Sequence, residues 1–194
     1  MPRIFTGLEI PKEVSMHLSL LQGGMQNVRW INPEFFHITL CFIGDVDNSL
    51  AGEITLAMDR IDRKPFEIRL TGLGMFGTRN PHAVWAGIEP CESLSQLQAE
   101  QDWVLRKLGV SLERRKFVPH VTLARCNGIS EIEVAQYMSD QGRFKSAPFK
   151  VSRFVMYSAR ASVGGGPYLI EDSWELGENT NQFEDDDFNQ PVYP

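Results

Sequence analysis

Two of the four histidines in this chain stand in the same setting. "EFFHITLCF" carries His37 and "FVPHVTLAR" carries His120, 83 residues later (120 − 37). Each is followed by a threonine two residues on, Thr39 and Thr122, and then by leucine. Histidine gives or takes a proton near neutrality because its ordinary pKa is about 6.5. In an extended strand, side chains alternate faces. His37 and Thr39 then share one face, opposite Ile38 and Leu40, and His120 and Thr122 share one face, opposite Val121 and Leu123. The aliphatic pairs suit burial, which leaves two imidazoles and two hydroxyls for a cleft. Such a set fits phosphoryl transfer without a metal. One neutral imidazole accepts a proton from the attacking oxygen, and one imidazolium protonates the leaving oxygen. The hydroxyls donate to the non-bridging phosphate oxygens and hold phosphorus between the rings.

Chance repetition of this pattern is on the order of one in a hundred. The remaining histidines act as internal controls. His17 and His82 lack a threonine two residues on and read as surface residues. A metal site is the weaker reading, because neither copy has a carboxylate or thiol two residues after its histidine. By strict alternation Cys41 shares the face of His37, which raises a Cys–His nucleophile. The second copy has Ala124 there, so Cys41 reads as a small buried apolar residue.

The elements that must position these groups also repeat. "FTGLEIP" (Phe5 to Pro11) matches "WAGIEP" (Trp85 to Pro90), and each leads into a helical pattern. The first helix carries an apolar stripe of Val14, Leu18 and Leu21, the second Leu94, Leu97, Val104 and Leu108. Each histidine strand precedes a further helix candidate, "SLAGEITLAMDRIDR" or "SEIEVAQYMSD". The extended stretches "PFEIRLTGLGMF" and "PFKVSRFVMYSAR" follow, with Pro65 and Pro148 again 83 apart (148 − 65). Each half thus reads strand, helix, strand, helix, strand. The expectation is an α+β fold of two duplicated βαβαβ-type lobes with antiparallel sheets, a pseudo-two-fold axis and a central cleft. One bilobal domain spans 1–176, with lobes near 1–80 and 81–176 and terminal strands free to exchange. Residues 177–194 form an acidic polar tail.

Net charge is −6, but the tail holds five acids and no Lys or Arg. Without it, 19 bases face 20 acids (25 − 5). That leaves room for a local basic cleft but not for a long basic groove. No apolar run is long enough to span a bilayer. "MPRIFTGLEI" lacks the basic start and apolar stretch of a secretory leader. Three cysteines outside CxxC spacing suggest reduced thiols and a cytoplasmic setting. A monomer without membrane contact, metal or cofactor is expected.

These motifs resemble those of the 2H phosphoesterase superfamily, named for paired His-x-Thr-x motifs, and within it the bacterial and archaeal RNA 2′,3′-cyclic phosphodiesterase family, also called 2′-5′ RNA ligase. The resemblance runs from about Arg3 to Leu176. It includes "VRWINPEFFHITLCFIGDV", "HAVWAGIEP" and "ERRKFVPHVTLAR". It implies a metal-independent opening of terminal 2′,3′-cyclic phosphate to a 2′-phosphomonoester. On the family pattern His37 matches the proton donor to the leaving 3′ oxygen, and His120 the acceptor that activates water. Thr39 and Thr122 match the phosphate-binding threonines, and Arg125 an arginine near the phosphate. Strict alternation puts Arg125 on the face away from His120, so it reaches the cleft only if the strand ends, twists or bulges around Ala124. Trp30, Phe5 and Phe36 are candidates for base stacking, and "ERRK" (Glu113 to Lys116) for the cleft rim. The alternatives are small cyclic nucleotides or 2′-5′ linked RNA as substrate, ligation in reverse, or a non-catalytic module binding RNA ends.

Overall fold

A computed structural model describes residues 3–159 and 166–177; most of the acidic tail expected over 177–194 lies outside them. The architecture is α+β. The first half contains β1 (Arg3–Glu9), α1 (Lys12–Ser19), β2 (Val28–Trp30), β3 (His37–Asp45), α2 (Asn48–Met58), β4 (Phe66–Ile68) and β5 (Leu70–Phe76). The second contains β6 (Ala83–Ile88), α3 (Glu92–Lys107), β7 (His120–Cys126), α4 (Glu131–Asp140), β8 (Phe149–Val151) and β9 (Arg153–Ala159). β10 (Tyr168–Glu175) follows. None of the helices is long and apolar enough to cross a membrane among the described residues.

An eight-stranded sheet runs β10-β9-β1-β3-β7-β6-β5, with β2 added on β7. All its pairings are antiparallel. The order shows that the last strand of each half lies with the other half. β9 pairs with β1, and β5 pairs with β6. The two long extended stretches break at Arg69 and Ser152. Their first parts, β4 and β8, pair with each other as a separate two-stranded ribbon.

Local chemistry sets the helix starts. The Asp47 side chain accepts from the Leu50 amide at 2.8 Å at the head of α2. Ser130 and Glu133 form a reciprocal capping box on α4. The glycine common to both repeat openings has a steric cause. A Cβ at Gly7 would stand 2.7 Å from the Ile38 carbonyl oxygen, and one at Gly87 2.9 Å from that of Thr71.

The core lies under the aliphatic side of the motif strands. Ile38, Leu40, Val121 and Leu123 share one buried cluster with Val14 and Leu18 of α1, Ile54 and Met58 of α2, and Leu94, Leu97 and Leu105 of α3. The buried stripe of α3 is Leu94, Leu97, Gln101 and Leu105, not the expected Leu94, Leu97, Val104 and Leu108. A polar residue occupies the stripe because it has a partner. Thr6 Oγ1 donates to Gln101 Oε1 at 2.6 Å.

Both motif strands carry a bulge just after the threonine. In β3, Thr6 pairs with Cys41 but Gly7 pairs with Thr39, leaving Leu40 as the extra residue. In β7, Val84 pairs with Ala124 but Trp85 pairs with Thr122, leaving Leu123 extra. Two consecutive residues are buried at each place, Leu40–Cys41 and Leu123–Ala124. The face alternation shifts by one residue beyond the bulge. Cys41 therefore does not share the face of His37. It points toward α3, with its Sγ 3.9 Å from the Gln98 carbonyl oxygen, and burial pushes its thiol pKa up to about 12. Phe42 and Arg125 inherit the histidine face.

The Thr6 hydroxyl accepts from the Cys41 amide at 3.2 Å, so it satisfies the β3 bulge and Gln101 together. Replacing Thr6 by valine keeps the shape but strands two buried polar groups. Thr6→Val is expected to lower unfolding free energy by about 2–3 kcal/mol in urea titration. A loss well under 1 kcal/mol would show that the hydroxyl does not hold the bulge.

Candidate active site

The two histidine strands meet at one register pair, Ile38 opposite Val121. Residues directly opposite in an antiparallel pair point to the same face. Ile38 and Val121 are both fully buried, so their neighbours in both strands emerge together on the other face. Counting outward, His37 lies opposite Thr122 and Thr39 opposite His120. The two histidines occupy a diagonal, with a backbone separation of about 7–8 Å. A tetrahedral phosphate fits between rings that reach inward from such positions.

The rings are locked in the same way. His37 Nδ1 lies 2.8 Å from the Phe35 carbonyl oxygen, and His120 Nδ1 lies 2.7 Å from that of Val118. A carbonyl only accepts, so each Nδ1 carries the hydrogen. Nε2 is then the nitrogen left to exchange a proton.

Aromatic rings surround both imidazoles. Phe5, Tyr168 and Tyr157 lie 5.0, 5.0 and 5.4 Å from His37, centroid to centroid. Phe76 and Trp85 lie 4.8 and 5.8 Å from His120. Burial disfavours the imidazolium and lowers the His37 pKa from 6.5 to about 4, against the raising effect of the Phe35 carbonyl. The positive charges of His120 and Arg125 act in the same direction as burial. The His120 pKa is also lowered, again chiefly by burial, with Arg125 and Arg115 adding to it.

All five residues singled out by sequence line one cleft of about 1010 Å³: His37, Thr39, His120, Thr122 and Arg125. Arg125 arrives by way of the Leu123 bulge. Arg115, Lys116 and Glu113 of the "ERRK" stretch line it too. Of the stacking candidates, Trp30 packs against Tyr137, 5.8 Å between centroids, and Phe36 is buried in the core. Phe5 abuts His37. His82 is exposed, as expected, but it also faces the cleft, 6.2 Å from the Phe76 ring and within 21° of parallel to it. Phe42 was not foreseen. It lines the cleft and is 48% exposed, and its only sequence signal is its place five residues after His37, where the other copy has Arg125. Among the described residues no three His, Cys, Asp or Glu side chains cluster as a metal ion would require.

The profile of the 2′-5′ RNA ligase superfamily matches residues 30–162. The chain belongs to that superfamily. A Methanothermobacter thermautotrophicus protein called RNA 2′,3′-cyclic phosphodiesterase is 33% identical over 182 residues, covering 90% of this chain and 98% of that protein. One of the same name from Geobacillus stearothermophilus is 39% identical over 128 residues, 62% of this chain. The match spans only 41% of that longer protein. Among solved structures, Thermus thermophilus TT0787 superposes with a TM-score of 0.75 at 20% identity, over 90% of this chain and 97% of that one. E. coli LigT, solved with 3′-AMP, gives 0.73 at 22% over 91% and 99%. At these identities the structures show a shared fold and no more.

Burial of His37 links the fold to pH. The folded protein resists protonating this ring until pH nears 4, whereas the unfolded chain takes up that proton near 6.5. The contribution is whole above pH 6.5 and is lost as pH falls toward 4, on the order of 2–3 kcal/mol. Urea unfolding at pH 7.5 and 4.5 should show a smaller acid loss in His37→Gln than in the parent. An equal loss in both proteins would contradict this.

Proposed function

We propose that the chain opens the 2′,3′-cyclic phosphate at an RNA end to a 2′-phosphomonoester. The observation that carries this reading is the pair of tautomer-locked imidazoles presenting Nε2 to one cleft beside two threonine hydroxyls. His120 Nε2 accepts a proton from water as the water oxygen bonds to phosphorus. The P–O3′ bond breaks, and His37 Nε2 supplies the proton that makes O3′ a hydroxyl. Thr39 and Thr122 donate to the non-bridging oxygens, and Arg125 offsets the negative charge that builds there. After turnover His37 is neutral and His120 protonated, and exchange with solvent restores both.

The depressed pKa values support a ligand-coupled version of this scheme. With the cleft free of anions both rings favour the neutral form. A bound phosphate anion favours the imidazolium, so substrate itself helps to charge His37. The curated relatives' shared name supports the same chemistry. A cleft of about 1010 Å³ has room for an RNA end as well as for a lone cyclic nucleotide. With an RNA 5′-hydroxyl in place of water as the attacking group, the same two proton transfers give a 2′-5′ phosphodiester and a free 3′-hydroxyl, which is ligation. The three described cysteines are free thiols, and the proposal takes the protein as a cytoplasmic monomer.

The test is incubation with an RNA oligomer ending in 2′,3′-cyclic phosphate, with 2′- and 3′-phosphate products separated. The 2′-phosphate is expected. His37→Ala and His120→Ala should each lower kcat by about 10²–10⁴-fold while retaining the folded circular-dichroism spectrum. The rate should pass through a maximum with pH and be indifferent to EDTA. Near-parental turnover in either variant would refute the two-histidine mechanism.

A further inference from the structure

The cleft is symmetric where phosphorus would sit and asymmetric beside it. β2 pairs with β7 in antiparallel register, with Arg29 directly opposite Arg125. Their register neighbours Trp30 and Ala124 face the α4 side, in the cluster with Val134 and Tyr137. Arg29 and Arg125 therefore share the opposite face, and both are exposed and line the cleft. Their Cβ atoms are about 4.5–5.5 Å apart by strand geometry, and like charges so placed disfavour the sheet. Two guanidiniums so spaced, each reaching outward, suit two successive phosphates of one chain.

The repeat shows that this pair is particular to one end. Eight residues before each histidine stands Arg29 in one copy and Leu112 in the other. Five residues after each histidine stands Arg125 in one copy and Phe42 in the other. Leu112 and Phe42 also line the cleft. At these repeat positions one flank of the catalytic centre thus carries two arginines and the related flank Leu112 and Phe42, with Arg115 and Lys116 on the loop beyond Leu112. An isolated phosphate held by two equivalent His–Thr pairs has no need of this polarity. A nucleic-acid chain does, because it leaves the reacting phosphate in one direction only and carries its next charge one nucleotide away.

We propose that Arg29, set across from Arg125, is a specificity residue that binds the internal phosphodiester adjoining the terminal cyclic phosphate. This deepens the proposed function and rests on it. The substrate class that follows is an RNA of at least two nucleotides, with its body running over β2. Arg29 supplies charge and hydrogen bonds to the chain and takes no part in the proton transfers.

The experiment compares the parent with Arg29→Gln and Arg29→Lys on two substrates. One is a hexaribonucleotide ending in 2′,3′-cyclic phosphate. The other is cytidine 2′,3′-cyclic monophosphate, which has no internal phosphodiester. Arg29→Gln should lower the ratio of kcat/KM, oligomer over mononucleotide, by about tenfold or more, mainly through KM. Arg29→Lys should recover part of it. Binding of a hexaribonucleotide with a 2′-phosphate end, followed by fluorescence anisotropy against salt, should lose about one unit of slope in Arg29→Gln. An unchanged ratio with an unchanged salt slope overturns the proposal. So does an equal loss on both substrates, which would place Arg29 at the reacting phosphate. If the parent turns over neither substrate, the hydrolase reading fails by itself. The salt slope then still decides whether Arg29 holds an RNA phosphate.

Discussion

The site depends on burying Ile38 against Val121. These side chains meet where the two halves of the sheet touch, and both are fully buried. Because side chains alternate, sealing that pair expels His37, Thr39, His120 and Thr122 on the opposite face. Full burial of an aliphatic side chain is worth about 1.5–3 kcal/mol. A register slip of one residue would place two imidazoles in that core and two aliphatics in the cleft. The histidine face is therefore held by hydrophobic burial, and the carbonyls of Phe35 and Val118 then fix which nitrogen looks outward.

The aromatic shell performs a second task with the same atoms. Phe5, Tyr157 and Tyr168 keep water from His37, which makes the ring a poor holder of a proton while no anion is near. A ring so placed becomes a strong acid once charged. The two histidines differ in degree, because His120 has fewer rings packed on it. Two identical residues in a duplicated pattern thereby sit in unequal surroundings.

Much of this is legible from His37, Thr39, His120 and Thr122 together with the repeated strand–helix order, because period-two alternation and aliphatic flanks are local signals. What is not legible depends on partners far along the chain. The bulges exist because Thr6 of β1 reaches Cys41 and because β6 shifts against β7, and nothing within "HITLCF" or "HVTLAR" announces either. Strict alternation therefore misplaces Cys41 and leaves Phe42 unnoticed, while it makes Arg125 look unreachable. Gln101 escapes a hydrophobic pattern because its buried place is licensed by one hydroxyl 95 residues away. His82 escapes because its neighbour Phe76 belongs to a strand from the other half of the repeat.

The interleaving of β5 and β9 bears on how the molecule comes into being. β1 emerges well before one of its two neighbours, β9, which begins at Arg153. Until that segment leaves the ribosome, one edge of β1 stays open, a surface that invites pairing with other chains. Sequence-distant pairings of this kind slow folding. The shell around His37 closes only when Tyr157 and Tyr168 arrive, so that imidazole gains its desolvated setting after the strands of both halves have been made.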